Sequence, residues 1–348
     1  MYYAWTVLLF LVLALSDCAS KRPPSVVGGC QDIAKTGQLN VLTLNTPFDA
    51  PAATRQTSWT DVAEFAVANN VHVLMLQEAV LTDVDQLQKL LGTADSAQDL
   101  QRILNQRSPE PYDLRMAWET GVPLVLSTAN GVLSRCAITR HFFTFLPIES
   151  ESVFEGIQLK ITRNVQAAYL DLPAYGSLHL YNTHLCSACS TQASQQQVQA
   201  LLSFVKDAEA KVPSTHALLG GDFNLDRSNG AAEQAAYTTL IQAGFRDVYA
   251  DYRKSQFGEA LDILCWNGVA DIHCTEGVSP VQGLADKQTG ARFSKPARID
   301  YLFLHGTDRV QMSKVVFNPG NAATGPINSG EPAVSDHSGV FAQILLSR

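Results

Sequence analysis

His216-Ala-Leu-Leu-Gly-Gly-Asp-Phe-Asn224 is the stretch that decides the fold. His216 to Leu219 reads as a strand and runs directly into Gly220-Gly221-Asp222. Asp222 and Asn224 stand two apart just after it. Working outward, the same arrangement recurs: an apolar strand with polar residues at its end. Leu39 to Leu44 (LNVLTL) alternates with period two and ends at Asn45. Val71 to Leu76 (VHVLML) reads as a buried strand and ends at Gln77-Glu78. Ser177 to Leu185 carries Asn182 and His184, two apart and so on one face. Arg298 to Leu304 holds Asp300, and Asp336-His337 precedes the strand Val340 to Leu346. Val132 to Ile138 and Ala167 to Leu172 read as further strands.

Helical patterns lie between the strands. Ser58 to Ala68 places Val62, Phe65 and Ala66 on one face, with Ser58 or Thr60 as cap. Val84 to Leu104 is helical on either side of Gly92, and Tyr237 to Ala243 is helical. Ser194 to Lys211 is amphipathic, with Val198, Leu201, Leu202 and Val205 at helical spacing. Periodicity therefore gives an α/β chain, and the unbroken series suggests one domain with two packed sheets and helices outside.

Composition sets outer limits. A chain of 348 residues with 46% apolar and 17% charged side chains can bury a large core. Disordered, collagen-like and coiled-coil classes are excluded. The formal charge is −8, from 25 basic and 33 acidic residues. A protein that grips long nucleic acid by bulk electrostatics is usually basic, so that partner is disfavoured. A nuclease is not excluded, because metal ions and local patches reverse the field at a cleft.

Met1 to Leu15 is apolar with no charge before Asp17, and at about 15 residues it falls short of the ~20 needed to span a bilayer. Residues 1–20 are expected to be a signal peptide, or a lipoprotein signal with Cys18 as the lipid-anchored residue. Residues 21–38 are expected to be a linker, since Pro23-Pro24 and Gly28-Gly29 punctuate them and no periodicity is visible. Residues 39–348 are expected to form the one large folded domain. Either route takes Cys18 out of the thiol count and leaves six cysteines, an even number that suggests disulfides in a secreted, oxidising setting. Cys265 and Cys274 are close enough to pair, and Cys186-Ser-Ala-Cys189 is read as a loop staple. Its C-x-x-C spacing also suits redox or zinc chemistry, but no second such pair exists to complete a structural zinc site.

Polar residues at so many strand ends point to one site. Hard oxygen ligands such as Glu78, Asp222 and Asn224 suit Mg²⁺. A histidine held by a carboxylate can take a proton from water near neutral pH. No G-x-S-x-G elbow is present, so serine hydrolysis is not favoured.

The motifs LNVLTLNT, LQE, NGVLSR, YNTHL, GGDFN, RIDYLFL and SDHSGV occur in the order of the endonuclease/exonuclease/phosphatase superfamily. The chain resembles that group from about Leu39 to Leu346. The resemblance implies a four-layer α/β/β/α sandwich of two mixed sheets with helices outside and the site at their upper edge. It implies a metal-dependent phosphoric ester hydrolase, with Mg²⁺ as cofactor and Mn²⁺ as a substitute. Glu78 would be the main metal ligand, supported by Asn45, Asp336 and Asp222. His337 would be the general base, oriented by Asp300. Asn224 would bind the phosphate, and Asp222 would hold metal or the nucleophilic water. His184 would donate to a phosphoryl oxygen or the leaving group. In DNases a glutamate orients that histidine, and the sequence does not identify its equivalent.

The expected substrate is a phosphate ester, with phospholipid favoured over nucleic acid. Apparent export, acidity and the region around Asn182-Thr-His-Leu185 resemble secreted neutral sphingomyelinases. Phe142-Phe143-Thr-Phe145-Leu146 is apolar enough for membrane-surface contact, or is simply a buried strand. The alternatives are a secreted DNase-like endonuclease and a catalytically silent, toxin-like subunit. A monomer is expected.

Overall fold

The computed structural model describes residues 30–46, 52–81, 97–122, 126–147, 150–154, 157–187, 189–227, 230–258, 265, 273–276, 297–318 and 332–348. The signal segment with Cys18 and the expected helical stretch before residue 97 lie outside them.

In chain order the elements are α1 (Gln31–Thr36), β1 (Gln38–Asn45), α2 (Ala52–Ala68), β2 (Val73–Leu81), α3 (Ala97–Arg107), β3 (Asp113–Val122), β4 (Leu126–Ser134), β5 (Ile138–Phe145), β6 (Ser150–Phe154), β7 (Ile157–Ile161), β8 (Asn164–Leu172), β9 (Gly176–His184), α4 (Thr191–Lys211), β10 (His216–Asp222), α5 (Ala231–Gln242), β11 (Phe245–Asp247), α6 (Val248–Phe257), β12 (Asp300–Gly306), β13 (Arg309–Val316) and β14 (Gly339–Leu345). Two mixed six-stranded sheets result, ordered β13-β14-β1-β2-β4-β3 and β11-β12-β10-β9-β8-β5. β6 and β7 pair as a separate hairpin.

Alternation along the strands makes the layers. Val41, Val73, Met75, Leu180, Leu218 and Leu302 share one core, between the sheets. Their neighbours Leu42, Leu74 and Leu76 instead join Trp59, Phe65 and Leu100 beneath α2 and α3. Tyr181, Leu219 and Phe303 pack with Val198, Leu201 and Tyr237 of α4 and α5. Strands buried on both faces read as continuous apolar runs, which is why VHVLML shows little alternation. The α/β/β/α sandwich follows.

The linker expected to reach residue 38 is corrected at its end. Cys30 and Ile33 are buried in the inter-sheet core, Gln31–Thr36 is helical, and Cys30 bonds Cys136. Apolar residues too sparse to show periodicity still fold when a disulfide pins them. Val132 to Ile138 is not one strand either: β4 ends at Ser134 and β5 begins at Ile138. The Ser134 hydroxyl turns the chain there, donating to Cys136 O and accepting from Cys136 N. Asp222 lies inside β10 rather than after it.

Candidate active site

Register places the first row of the site. In sheet order, His184, Asp222 and Asp300 are paired residues on β9, β10 and β12, so all three side chains share one face. The two glycines before Asp222 make this row fit. A Cβ on Gly221 (φ 145°) would lie 1.9 Å from Thr183 O, and one on Gly220 would meet Met75 of the facing sheet at 2.6 Å. In that facing sheet Asn45 and Gln77 are paired at the ends of β1 and β2.

Two β-bulges aim two carboxylates. Register slips between Leu76 and Ala79 where β2 meets β4, and Glu78 there has φ 53°. It slips again between Trp118 and Thr120 on β3, at Glu119. A bulge frees a residue from the ladder and redirects its side chain. Asn182 bolts the first bulge to the opposite sheet. Its Nδ2 donates to Leu76 O and Gly131 O, both at 2.9 Å, and its Oδ1 accepts from Gln77 Nε2 at 2.7 Å.

Asp222 is the hub. Its Oδ1 accepts from the Asn224 backbone N–H and its Oδ2 from Asn45 Nδ2, each at 2.9 Å. The same Oδ2 lies 3.5 Å from His184 Nε2 and 3.9 Å from His337 Nδ1. Asn224 also donates through Nδ2 to Leu185 O. His337 Nδ1 sits 3.0 Å from Asp300 Oδ2, which leaves Nε2 as the ring's other face. Burial opposes charge on His337, but the carboxylate of Asp300, helped by Asp222 and Asp336, holds its pKa well above the usual histidine value. The backbone around this pair is fixed by Thr275: its hydroxyl accepts from the Ile299 and Asp300 N–H groups, and its carbonyl accepts from Ser338 N.

The missing partner of His184 is a buried ion pair. Arg163 Nη1 donates to Glu119 Oε1 at 2.7 Å and to His184 Nδ1 at 2.8 Å. Glu119 Oε1 is 3.3 Å from the same Nδ1. Arg163 and Glu119 thus both bear on Nδ1, and Nε2 is left facing Asp222. Burial and Arg163 both disfavour a charged His184, yet Glu119 and Asp222 outweigh them and raise its pKa. Glu119, despite burial, is held down at about 2 by Arg163 and His184. Neither Glu119 nor Arg163 lies in a strand-end motif. The only trace in the sequence is a glutamate closing the Leu114–Trp118 alternation and an arginine just ahead of β8.

Burial pushes the Glu78 pKa up to about 7, and Asp336 and Glu119 add to the push. Its side chain remains 28% exposed. An acid so destabilised as an anion, close to Asp336, is suited to receiving a divalent cation. Asn45 Oδ1 is buried without a hydrogen-bond partner, a further hard donor. Asn45, Glu78 and Asp336 therefore offer hard oxygen donors of the kind a divalent cation takes. The tightest group of candidate ligand atoms among the described residues is a different one: Asp222, Asp300 and His337 lie within 4.8 Å of one another. The eight residues expected at the site thus lie together at one end of the two sheets, joined by hydrogen bonds and ion-pair distances or, for Asp336, by its charge acting on Glu78 and His337.

Fold and cleft together define a metal-dependent phosphoester hydrolase. The Endonuclease/Exonuclease/phosphatase family model matches residues 37–337. The chain belongs to that family. An endonuclease/exonuclease/phosphatase from Beutenbergia cavernae is similar at 18% identity and TM-score 0.59, covering 89% of this chain and 72% of that one. The mannosyl-6-phosphatase Bt3783 of Bacteroides thetaiotaomicron is 15% identical with TM-score 0.56, covering 88% and 99%. Truncated TDP2 of Caenorhabditis elegans is 16% identical with TM-score 0.54, covering 88% and 97%. At such identities the likeness is one of fold. No curated protein matches the sequence.

Proposed function

We propose that this chain is a Mg²⁺-dependent phosphodiesterase acting on a sphingomyelin-type phospholipid. The observation that carries the reaction type is the pair of histidines flanking one oxygen of Asp222, at 3.5 and 3.9 Å. One is backed by Asp300, the other by Glu119 and Arg163. Displacement at phosphorus needs a proton taken from water on one side and one given to the leaving oxygen on the other. His337 Nε2 takes the first proton, with Asp300 fixing the ring. His184 Nε2–H supplies the second, or hydrogen-bonds a phosphoryl oxygen. Asn224 and Asn45 orient the phosphate region through Asp222. Bound at Asn45, Glu78 and Asp336, Mg²⁺ would neutralise phosphoryl charge and stabilise the leaving alkoxide.

Two features support a lipid rather than a polynucleotide. The net charge is −8. Phe143 and Phe145 on the edge strand β5 are 40% and 46% exposed, and Phe145 packs against Trp118, the neighbour of Glu119. An aromatic edge beside a site is unusual on a soluble surface and suits an apolar moiety. The intact set of side chains supports an active enzyme over a silent subunit.

The test is hydrolysis of sphingomyelin liposomes, plasmid DNA, an abasic duplex, inositol phosphates and a sugar phosphate, each with Mg²⁺, Mn²⁺ or EDTA. Release of phosphocholine that EDTA abolishes is expected. Preferential cleavage of DNA would overturn the lipid assignment, and full activity in EDTA would overturn the metal.

A further inference from the structure

Three disulfides close among the described residues, and they differ in access. Cys30 and Cys136 are both wholly buried, and Cys265 and Cys274 are almost so. Cys186–Cys189 has one half-exposed partner, Cys189, beside the exposed Ser187. Its C-x-x-C spacing also separates it from the others, whose partners are 106 and 9 residues apart.

The position is chemically loaded. Ser190 follows directly and caps α4, accepting from Ala193 N, so the pair abuts the N-terminus of a 21-residue helix. A helix N-terminus stabilises a neighbouring thiolate and so eases its departure from a disulfide. Cys186 comes two residues after His184. The segment between them packs Leu185 into the core, and its backbone is tied by hydrogen bonds: Leu185 N donates to Asp222 O, Leu185 O accepts from Asn224 Nδ2, and Cys186 N donates to Gln197 Oε1. The first two run directly to the phosphate-handling residues. The disulfide closes the loop that follows, Cys186 to Cys189, and so ties the end of that segment to the start of α4.

We propose that Cys186–Cys189 is a thiol–disulfide exchange site whose redox state sets the position of His184. The reductant is a dithiol, small or carried on a protein. One of its thiolates attacks Cys189 Sγ, the sulfur of the less buried partner. The bond to Cys186 breaks, and Cys186 leaves as a thiolate that takes up a proton. The second thiol of the reductant then attacks the mixed disulfide, forming the oxidised dithiol and releasing Cys189 as a thiol. Two electrons pass to the protein, and dithiol plus cystine become disulfide plus two cysteines. The opened loop no longer holds His184 rigidly over Asp222. The cysteines position and do not touch substrate. The catalytic part rests on the phosphodiesterase reading above.

The experiment uses native, Mg²⁺-loaded protein titrated with dithiothreitol, trapped with iodoacetamide and mapped by peptide mass spectrometry. Rates are read in parallel on sphingomyelin, whose alkoxide needs a proton to leave, and on para-nitrophenyl phosphocholine, whose phenolate does not. Alkylation at Cys186 and Cys189 is expected at dithiothreitol levels that spare the other two pairs. With it, kcat on sphingomyelin should fall roughly tenfold with little change in KM, since misplacing a proton donor by under an ångström is enough. The para-nitrophenyl ester should lose less than about threefold, a split that follows from its better leaving group. Reoxidation should restore both rates. A Cys186→Ala/Cys189→Ala variant should show the reduced rates and ignore dithiothreitol. Earlier opening of another pair would overturn the exchange site. Equal losses on both substrates, or none, would overturn the link to His184. Should the untreated protein hydrolyse neither substrate, the phosphodiesterase reading fails, and the alkylation order alone decides the exchange site.

Discussion

Glu78 and His337 both have raised pKa values, which disfavours charge on the first and favours it on the second, so they make opposite predictions. Glu78 is an anion resisted by burial and by Asp336, with a pKa pushed up to about 7. Glu78→Gln keeps the shape and removes that repulsion. Hydrolysis should fall by orders of magnitude. The melting temperature without metal should hold or rise, and added Mg²⁺ should no longer raise it. Calorimetry with and without Mg²⁺ checks both, and a Gln variant still stabilised by Mg²⁺ would move the ion elsewhere. His337 is a cation favoured by Asp300, with its pKa raised. Only the neutral ring accepts a proton, so activity should climb with pH through that raised value. The stability it lends runs the other way, present at low pH and lost as pH rises past the folded-state pKa. Asp300→Asn should move the acidic limb of the rate profile to lower pH and lower the plateau by roughly 10²–10⁴-fold. Combined with His337→Ala the losses should overlap. A limb that stays in place in the Asn variant would separate the two residues.

At the scale of elements, two bulges and one asparagine do the positioning. Asn182 crosses from β9 to satisfy Leu76 O and Gly131 O at the bulge that turns Glu78. Asn182→Ala leaves two buried carbonyls and Gln77 without that partner, a cost of about 2–4 kcal/mol. It should also raise the Mg²⁺ concentration needed for half-maximal rate, because Glu78 loses its support. Urea unfolding and a Mg²⁺ titration read these separately, and an unchanged Mg²⁺ requirement would confine Asn182 to stability. The strands and their polar ends were legible in the sequence because buried strands are apolar and Asn45, Glu78, His184, Asp222, Asp300 and His337 interrupt that pattern. Glu119 and Arg163 were not. A bulge leaves no periodic signature, and an arginine in a loop before a strand looks like any surface cation until Glu119 is seen 2.7 Å away. α1 was hidden for a related reason: Gln31–Thr36 buries only Ile33, and Cys30 does the anchoring. The exposed part of β5 was ambiguous for good cause, since Phe142 packs on Tyr169 and Phe204 while Phe143 and Phe145 face outward.

Over the whole molecule, closure falls to Cys30–Cys136. It ties the segment ahead of β1 to the turn between β4 and β5, across 106 residues and near the bottom of both sheets. Around it Asp32 reaches His72 Nε2 at 3.0 Å and Asn70 Nδ2 at 2.8 Å, so the covalent link and a polar cluster hold one corner. Burial would raise the pKa of Asp32, yet Asn70, His72 and Arg135 bring it down to about 2. No helix among the described residues is long and apolar enough to cross a membrane. Three bonded cysteine pairs suit an oxidising compartment, the setting expected from the sequence. In the chain-entropy view, a loop of about 100 residues contributes about 4.7 kcal/mol and a loop near ten residues distinctly less. Cys30→Ser/Cys136→Ser should therefore cost about 3–5 kcal/mol in urea unfolding and lower the melting temperature by roughly 5–10 °C. Cys265→Ser/Cys274→Ser should cost less in stability but more in rate, because Cys274 adjoins Thr275, whose hydroxyl holds the backbone of Asp300. The contrast is the test. If the long-range pair proves the cheaper to remove, the first segment is held by α1 and its polar cluster, and the disulfide only records that they were already together.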